Sequence, residues 1–313
     1  MSLKNWIGIL ICNLIWSVHP VMGKWLLNEV NPPQAAWLRY SSALLSYVIF
    51  VVAFRFFRRS SPGNLTFFFI PKNFSDGLQV MTLGLATFCF SPLMQISGLS
   101  HSLATENSVI VAIEPLLTAL FAWLLLREKV TLVDLVGFTL ALLGFSFLTR
   151  LSFSQMIMGQ GHFSGNLLIL FSLIGEAVYT VLGKKLTIRH PPFAIFGTAL
   201  AVGVLFLALG LSFFESPSQL VVFQGLSWRA LGAIFWLGPL GTTVGYLFVM
   251  LILSEVSILA LALLLFMQPL AGALWGYLFL GDQLSPIQNF GGGLILLAVL
   301  LPNAMRLKKR PIV

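Results

Sequence analysis

Residues 112–130 read AIEPLLTALFAWLLLREKV, and this stretch decides the fold because the chain carries a second copy of it. The second copy, at residues 266–284, reads FMQPLAGALWGYLFLGDQL. A Gln-Pro pair at 268–269 stands where the first copy has Glu114-Pro115, and the two copies keep one register over nineteen residues. Self-similarity of this kind is the signature of a repeated structural unit. The sequence therefore predicts two related halves.

The composition is that of a membrane protein. Of the 313 residues, 58% are hydrophobic and only 9% are charged, whereas a soluble domain carries roughly 25% charged residues. Apolar runs of about twenty residues recur along the chain, and each is long enough to cross a ~30 Å hydrocarbon core. Because backbone polar groups must be satisfied inside lipid, unbroken apolar runs favour helices. We predict an all-α polytopic membrane protein that contacts the lipid bilayer.

Ten transmembrane helices are predicted, five in each half. Their ranges are 5–27, 34–57, 76–99, 102–125, 130–150, 165–187, 192–214, 229–252, 256–279 and 285–305. The first run lacks a small-residue cleavage site, so we interpret it as a retained helix rather than a signal peptide. The predicted domains are residues 1–150 and residues 151–313, the second including a basic tail. An odd number of helices per half makes the two repeats inverted in topology.

The basic residues predict the orientation. With the N-terminus inside, fourteen of the eighteen Lys and Arg residues fall on the cytoplasmic side, as the positive-inside rule requires. We therefore place both termini in the cytoplasm. The basic residues are spread over several helix ends without forming a basic domain, so no nucleic-acid partner is expected.

Inverted five-helix repeats are typical of secondary transporters, which bind solute near the midplane between the halves. The duplication also covers the starts of the halves, WSVHPVMGKWL at 16–26 and EAVYTVLGKKL at 176–186. With the Pro-rich turn that follows and Arg39-Tyr40, these motifs resemble the EamA family, the ten-helix branch of the drug/metabolite transporter superfamily. The resemblance implies an inner-membrane carrier of small organic metabolites, often amino acids and often in the export direction. It also implies that the glycine-rich helices 130–150 and 285–305 pack together.

Two glutamates in the membrane are candidates for solute binding or coupling, because a charge at the bilayer centre costs roughly 2.5–3.5 kcal/mol. Glu114 lies halfway along the fourth helix; the alternative is a structural glutamate, protonated or paired with Arg39 or Lys24, that fixes a helix contact. Glu176 lies eight residues before Lys184, and the small four-helix multidrug carriers of the same superfamily have an essential glutamate in that relation to a lysine. Trp16 takes that place in the first half, which disfavours a symmetric two-glutamate antiport and makes Glu176 the sharper candidate.

Aromatic and amide side chains complete the predicted pocket. Trp16, Tyr179, Tyr246 and Trp275 lie within helices, and cation–π contacts from them would suit a cationic or zwitterionic solute. Gln268, the counterpart of Glu114, is assigned to the same pocket. The alternative is that these residues only pack the helices.

Five other residues are assigned to gating or structure. Pro20 kinks the first helix, and its neighbour His19 is either a hinge residue or a packing residue. Lys24, Arg39 and Glu106 lie within reach of the outer surface, where long basic side chains extend to the headgroups.

Other functions are less well supported by the sequence. No Walker motif is present, so ATP is not expected to drive transport directly. The four histidines are scattered and the two cysteines lack metal-ligand spacing, so no metal, cofactor or catalytic site is predicted and an enzyme is disfavoured. An uncoupled facilitator is left open, as is the proton as coupling ion. A monomer is expected to be sufficient.

Overall fold

The computed structural model describes residues 3–57, 66–149, 162–214, 225–275, 277–278 and 283–308. In the described part of the chain, nine helices are long and apolar enough to cross a membrane, and a tenth has a shorter apolar stretch, Pro286–Pro302. We number them α1 Leu3–Leu27, α2 Pro32–Phe57, α3 Phe74–Ser100, α4 Ala104–Val111 with Glu114–Leu126, α5 Leu132–Thr149, α6 Phe163–Thr187, α7 Pro192–Phe214, α8 Trp228–Ile252, α9 Ile258–Trp275 and α10 Pro286–Lys308.

The predicted all-α fold with ten membrane helices is confirmed. Most described helix ends lie within three residues of the predicted positions; the described part of α9 ends at Trp275 instead of residue 279. The packing follows the repeat: α1 contacts α8 and α9, while α6 contacts α3 and α4. Likewise α2 packs on α8, and α7 packs on α3. The first helix of each half therefore packs against the third and fourth helices of the other half, and the second helix packs against the third.

Three helices are interrupted at the middle of the membrane, which corrects the uninterrupted ranges predicted for α4 and α9. The breaks fall after Trp16 in α1, after Val111 in α4 and after Leu265 in α9. A proline follows each break by a few residues, and proline has no N–H to donate to the carbonyl four residues earlier. Those carbonyls belong to Trp16, Val111 and Leu265, so each helix opens where its hydrogen-bond ladder loses a donor.

The third helix of each half contains a π-helical segment that the sequence did not predict. These segments are Ala86–Phe90 in α3 and Trp236–Tyr246 in α8. They occupy corresponding places, since Gly84 and Gly238 share one repeat register. In α8 the wider turn lets the Thr242 hydroxyl donate to the carbonyl of Leu237 at 2.9 Å. Such segments occur frequently at functional sites, and both lie beside the centre of the bundle.

Glycines allow α5 and α10 to pack at backbone contact, as the resemblance implied. A Cβ on Gly144 would lie 2.6 Å from the carbonyl oxygen of Gly291, and a Cβ on Gly291 would lie 2.6 Å from the carbonyl oxygen of Gly144. Small residues at such interfaces let membrane helices approach closely. The two halves therefore pack against each other through this helix pair.

Replacing Gly291 with alanine is expected to lower the free energy of unfolding by about 1–3 kcal/mol, because the added methyl group forces the two backbones apart. Thermal unfolding of the detergent-purified protein measures the effect. Gly293→Ala is the matched control, since a Cβ there meets nothing within 4 Å. Equal midpoints for the two variants would show that the close contact does not stabilise the fold.

Candidate functional site: a central cavity

A cavity of about 890 Å³ lies between the two halves and is lined by residues from both. Its volume lies within the ~300–1,000 Å³ range typical of small-molecule sites. Trp25, Leu99 and Thr149 line it at one end, and Thr180 and Leu261 line it at the other. Because these two groups lie at opposite ends of the bundle, the cavity runs along the membrane normal through the helix breaks.

Most of the predicted site residues face this cavity. The seven assigned to binding or coupling line it, and so do three of the five assigned to gating or structure: Glu176, Glu114, Trp16, Tyr179, Tyr246, Trp275, Gln268, His19, Pro20 and Arg39. Lys24 and Glu106 do not line it. Instead, the Lys24 ammonium donates to the carbonyl of Ser102 at 2.5 Å.

Glu106 belongs to a separate polar cluster at the outer end of α4. Its carboxylate lies 3.1 Å from Nδ1 of His162 and accepts a hydrogen bond from the Ser102 hydroxyl at 2.8 Å. The Ser102 hydroxyl also contacts Asn166 on α6. These contacts join the start of α4 to the start of α6, which fits the structural role predicted for Glu106.

Glu176 is held in place by hydrogen bonds from two neighbouring helices. The Tyr246 hydroxyl on α8 donates to one carboxylate oxygen at 2.8 Å, and the Ser91 hydroxyl on α3 donates to the other at 3.0 Å. Arg39 on α2 is close enough to interact electrostatically. Thr180, one turn further along α6, donates to the backbone carbonyl of Glu176 at 3.2 Å and not to its carboxylate. Glu176 therefore links three helices around the cavity.

Glu114, in contrast, has no hydrogen bond or ion pair from the described residues. It is the first residue of the second half of α4, so the break aims its side chain into the cavity. Glu176 is near enough to interact with it electrostatically. The pairing with Arg39 or Lys24 that the sequence allowed is not found within the described ranges. Glu114 is thus a carboxylate free to contact a solute.

Arg39 is buried beside the cavity, with only 3% of its surface exposed. Its Nε donates to the Thr242 hydroxyl at 3.3 Å, and its guanidinium carbon lies 4.9 Å from the centre of the Tyr40 ring. The expectation that Arg39 extends toward the outer surface is therefore wrong; the π-helical segment of α8 provides a partner inside the bundle. The described lining thus contains two carboxyl groups, Glu114 and Glu176, and one guanidinium group.

Three indole N–H groups satisfy backbone carbonyls near the helix breaks. Trp275 donates to Leu14 at 3.0 Å and Trp236 donates to Ile15 at 3.0 Å. Carbonyls at the end of a helix segment have no partner within it, so these two tryptophans hold the end of the first half of α1. Trp16 itself donates to the carbonyl of Gly241 at 2.8 Å. The indole N–H of Trp275 therefore has the packing role that was the alternative to solute binding, while its ring still borders the cavity.

The aromatic rings form a contiguous wall beside the glutamates. The ring centroids of Trp16 and Tyr246 are 5.5 Å apart, and those of Tyr179 and Tyr246 are 5.1 Å apart, both with edge-to-face geometry. Tyr179 also donates its hydroxyl proton to the carbonyl of Tyr246. Edge-to-face pairs are a favoured arrangement, so the wall is pre-organised.

The two halves differ at the place where Glu176 and Trp16 correspond. In the repeat register, Ser91 corresponds to Gly245. Ser91 bonds the Glu176 carboxylate, whereas a Cβ on Gly245 would lie 2.8 Å from Nε1 of Trp16. The Ser91 hydroxyl therefore provides a hydrogen bond for the acid of the second half, and Gly245 leaves room for the indole of the first half. The asymmetry predicted from the sequence is built into the packing.

Two buried polar atoms in the cavity wall lack a partner among the described residues. They are Nε2 of His19 and Oδ1 of Asn107. His19 packs against Gly241, where a Cβ would lie 2.1 Å from Nε2. Asn107 was not predicted as a site residue. Its spacing of seven residues before Glu114, which places both on one helix face, was the signal available in the sequence.

A ten-helix membrane fold with a central cavity lined from both halves, together with the matches below, defines a membrane transporter. The chain belongs to the EamA-like transporter family, whose family model matches residues 4–150 and 163–303. The resemblance inferred from the repeat motifs is confirmed.

Individual relatives agree with this assignment. A transporter of Archaeoglobus fulgidus described as uncharacterised is 22% identical over 95% of this chain and 98% of its own. Another, from Methanothermobacter thermautotrophicus, is 23% identical over 96% of this chain and 86% of its own. A crystal structure matches with a TM-score of 0.74 and 15% identity, covering 99% of both chains. That structural likeness supports the fold alone.

Proposed function

We propose that the protein is a secondary transporter of small organic solutes that carry an amino group, such as amino acids and related cationic or zwitterionic metabolites. The observation that carries the proposal is the Glu114 carboxylate, which has no partner among the described residues and faces a cavity with aromatic walls. A solute ammonium would provide its missing hydrogen bonds and counter-charge. Transport, and not catalysis, is the activity that such a site supports.

The surrounding groups favour the same solute chemistry. Trp16 and Tyr246 border the cavity, and ring faces attract cations by about 0.5–2 kcal/mol. Gln268 lines the cavity beside the break in α9. It supplies a neutral amide at the position where the first half has the Glu114 carboxylate. Arg39 also lines the cavity, and a contact between its guanidinium and a solute carboxylate would extend recognition from amines to zwitterions.

The proposed mechanism is alternating access between the repeats 1–150 and 151–313, with export or exchange as its direction. The breaks in α1, α4 and α9 meet at the cavity, and broken helices at a repeat interface are where carriers bind their solutes. Because Glu114 can accept a proton when no ammonium is bound, we propose proton exchange as the coupling. A cell (inner) membrane location with cytoplasmic termini and a functional monomer complete the proposal.

The proposal predicts which ligands stabilise the purified protein. Amino acids and organic amines should raise its thermal midpoint, since ligand binding to the folded state adds about 2.7 kcal/mol at a hundred times Kd. The measurement is a thermal-shift panel of amino acids, amines, carboxylic acids and nucleosides. Neutral and anionic analogues of a hit, differing only at the amino group, serve as controls. Stabilisation by the anionic analogues alone would reject an amine-binding site.

A further inference from the structure

Glu128, like Glu176, is a carboxylate that connects three helices, and it lies at one end of the cavity. It follows Arg127, whose left-handed backbone (φ 54°) ends α4. One carboxylate oxygen accepts a hydrogen bond from the Lys184 ammonium of α6 at 2.7 Å, and the other accepts one from the Ser257 hydroxyl at 3.0 Å. Backbone N–H groups at the start of α9 also donate to it, from Ile258 at 3.2 Å and from Leu259 at 3.3 Å. A loop acid thus satisfies four donors.

The contact between Glu128 and Lys184 is an ion pair that is largely shielded from solvent. The side chains of Lys184 and Glu128 are only 17% and 16% exposed. Burial by itself would raise the pKa of Glu128, but the hydrogen bonds from Lys184, Ile258 and Ser257 and the lysine charge lower that pKa below its ordinary value. The carboxylate is therefore ionised at neutral pH, and charge-assisted hydrogen bonds of this kind are about twice as strong as neutral ones.

These contacts lie next to the end of the cavity that Thr180 and Leu261 line. Thr180, which lines the cavity, is four residues before Lys184 on α6, and the lining residue Leu261 is three residues after Ile258 on α9. One helical turn spans about 5.4 Å. The joint between α4, α6 and α9 therefore closes the cavity at this end of the bundle.

The other end of the bundle repeats part of this arrangement. Lys184 also donates to the carbonyl of Val256 at 2.7 Å. Lys24, which corresponds to Lys184, donates to the carbonyl of Ser102, and Ser102 corresponds to Val256 in the repeat register. The same lysine-to-carbonyl bond therefore occurs at equivalent places in the two repeats, which marks these helix ends as matched parts of the transport framework.

We propose that Glu128 is a gating residue: its contacts with Lys184 and the start of α9 hold this end of the cavity closed, and they separate when the cavity opens to the Glu128 side of the membrane. The inference rests on the proposed function only in assigning the gate to a transport cycle. Glu128 does not line the cavity, and it acts by positioning α6 and α9 against α4.

Accessibility of the cavity tests this gate without any solute. The full-length chain, with Cys12 and Cys89 replaced by alanine and Thr180→Cys as reporter, is reconstituted in proteoliposomes of determined orientation. A membrane-impermeant thiol reagent is then added from the Glu128 side. We expect Glu128→Gln to increase the labelling rate about tenfold, because losing the charged partner shifts the population toward the open state.

Glu255→Gln is the matched control, because Glu255 is an exposed acid in the turn next to Val256 and its contact is with Asn5. Its labelling rate should equal that of the unsubstituted reporter. If Glu128→Gln does not fold, Ser257→Ala removes a single contact and should increase labelling about threefold. Unchanged labelling in a folded Glu128→Gln or Ser257→Ala protein would overturn the gate. Failure to find any transported solute would reject the proposed function while leaving this labelling result to decide the gate.

Discussion

Glu114→Gln is expected to reduce solute counterflow in proteoliposomes by about ten- to a hundredfold. The substitution keeps the size of the side chain but removes the charge that an ammonium would contact, and a hydrogen bond to a charged group contributes about 1.5–3 kcal/mol. Because Glu114 has no partner among the described residues, the loss should appear in solute binding and transport. The thermal midpoint of the ligand-free protein should stay the same or increase, since the repulsion with Glu176 is removed.

Glu106→Gln is the matched control for this experiment. It makes the same chemical change on the same helix, but Glu106 lies outside the cavity, in the cluster with His162 and Ser102. Counterflow, normalised to the amount of folded protein, should be retained within about twofold, since surface and structural substitutions act mainly on stability. If the two variants transport equally well, Glu114 is not the solute-binding carboxylate.

Glu176→Gln is expected to act first on the fold. It weakens the contacts with Tyr246 and Ser91 and removes the negative charge near buried Arg39, which should lower the free energy of unfolding by about 1.5–3 kcal/mol. Thermal unfolding without ligand measures this loss. Transport should also decrease, because Glu176 positions three helices around the cavity.

Tyr246→Phe distinguishes the contribution of the hydrogen bond to Glu176 from that of the Glu176 charge. It removes the hydroxyl that donates to Glu176 but keeps the aromatic wall and both carboxylates, so the stability loss should be smaller, about 1 kcal/mol. A greater loss of stability in Glu114→Gln than in Glu176→Gln would show that the roles given to the two glutamates are reversed.

The helices could be predicted closely because the bilayer imposes simple rules on the sequence. An apolar run of the right length that ends in charges or prolines has few alternatives, so the ranges of α2 and α7 differ little from those predicted. The register of the repeat, visible in Glu114-Pro115 and its Gln-Pro counterpart, also predicts the inverted packing. The breaks in α4 and α9 were missed, because a proline in a membrane helix is compatible with a mild kink as well as with an interruption.

The roles within the site depended on tertiary contacts that the sequence does not contain. The sequence favoured Glu176 as the sharper candidate, but Ser91 and Tyr246, distant in the chain, converge on it and leave Glu114 as the carboxylate without a partner. Arg39 was placed near the surface because its buried partner, Thr242, lies on a π-helical segment. The contacts of Glu128 could not be predicted, since its donors at the start of α9 are far along the chain.

Solute counterflow is the most direct test of a carrier that binds amines through Glu114. Proteoliposomes are preloaded with an amine or amino acid that stabilises the protein, and uptake of the labelled solute is followed over a range of concentrations. We expect saturable uptake that depends on the internal solute, is retained in Glu106→Gln and is largely lost in Glu114→Gln. Flux that increases linearly with concentration, or uptake that is unchanged in Glu114→Gln, would contradict amine transport through Glu114.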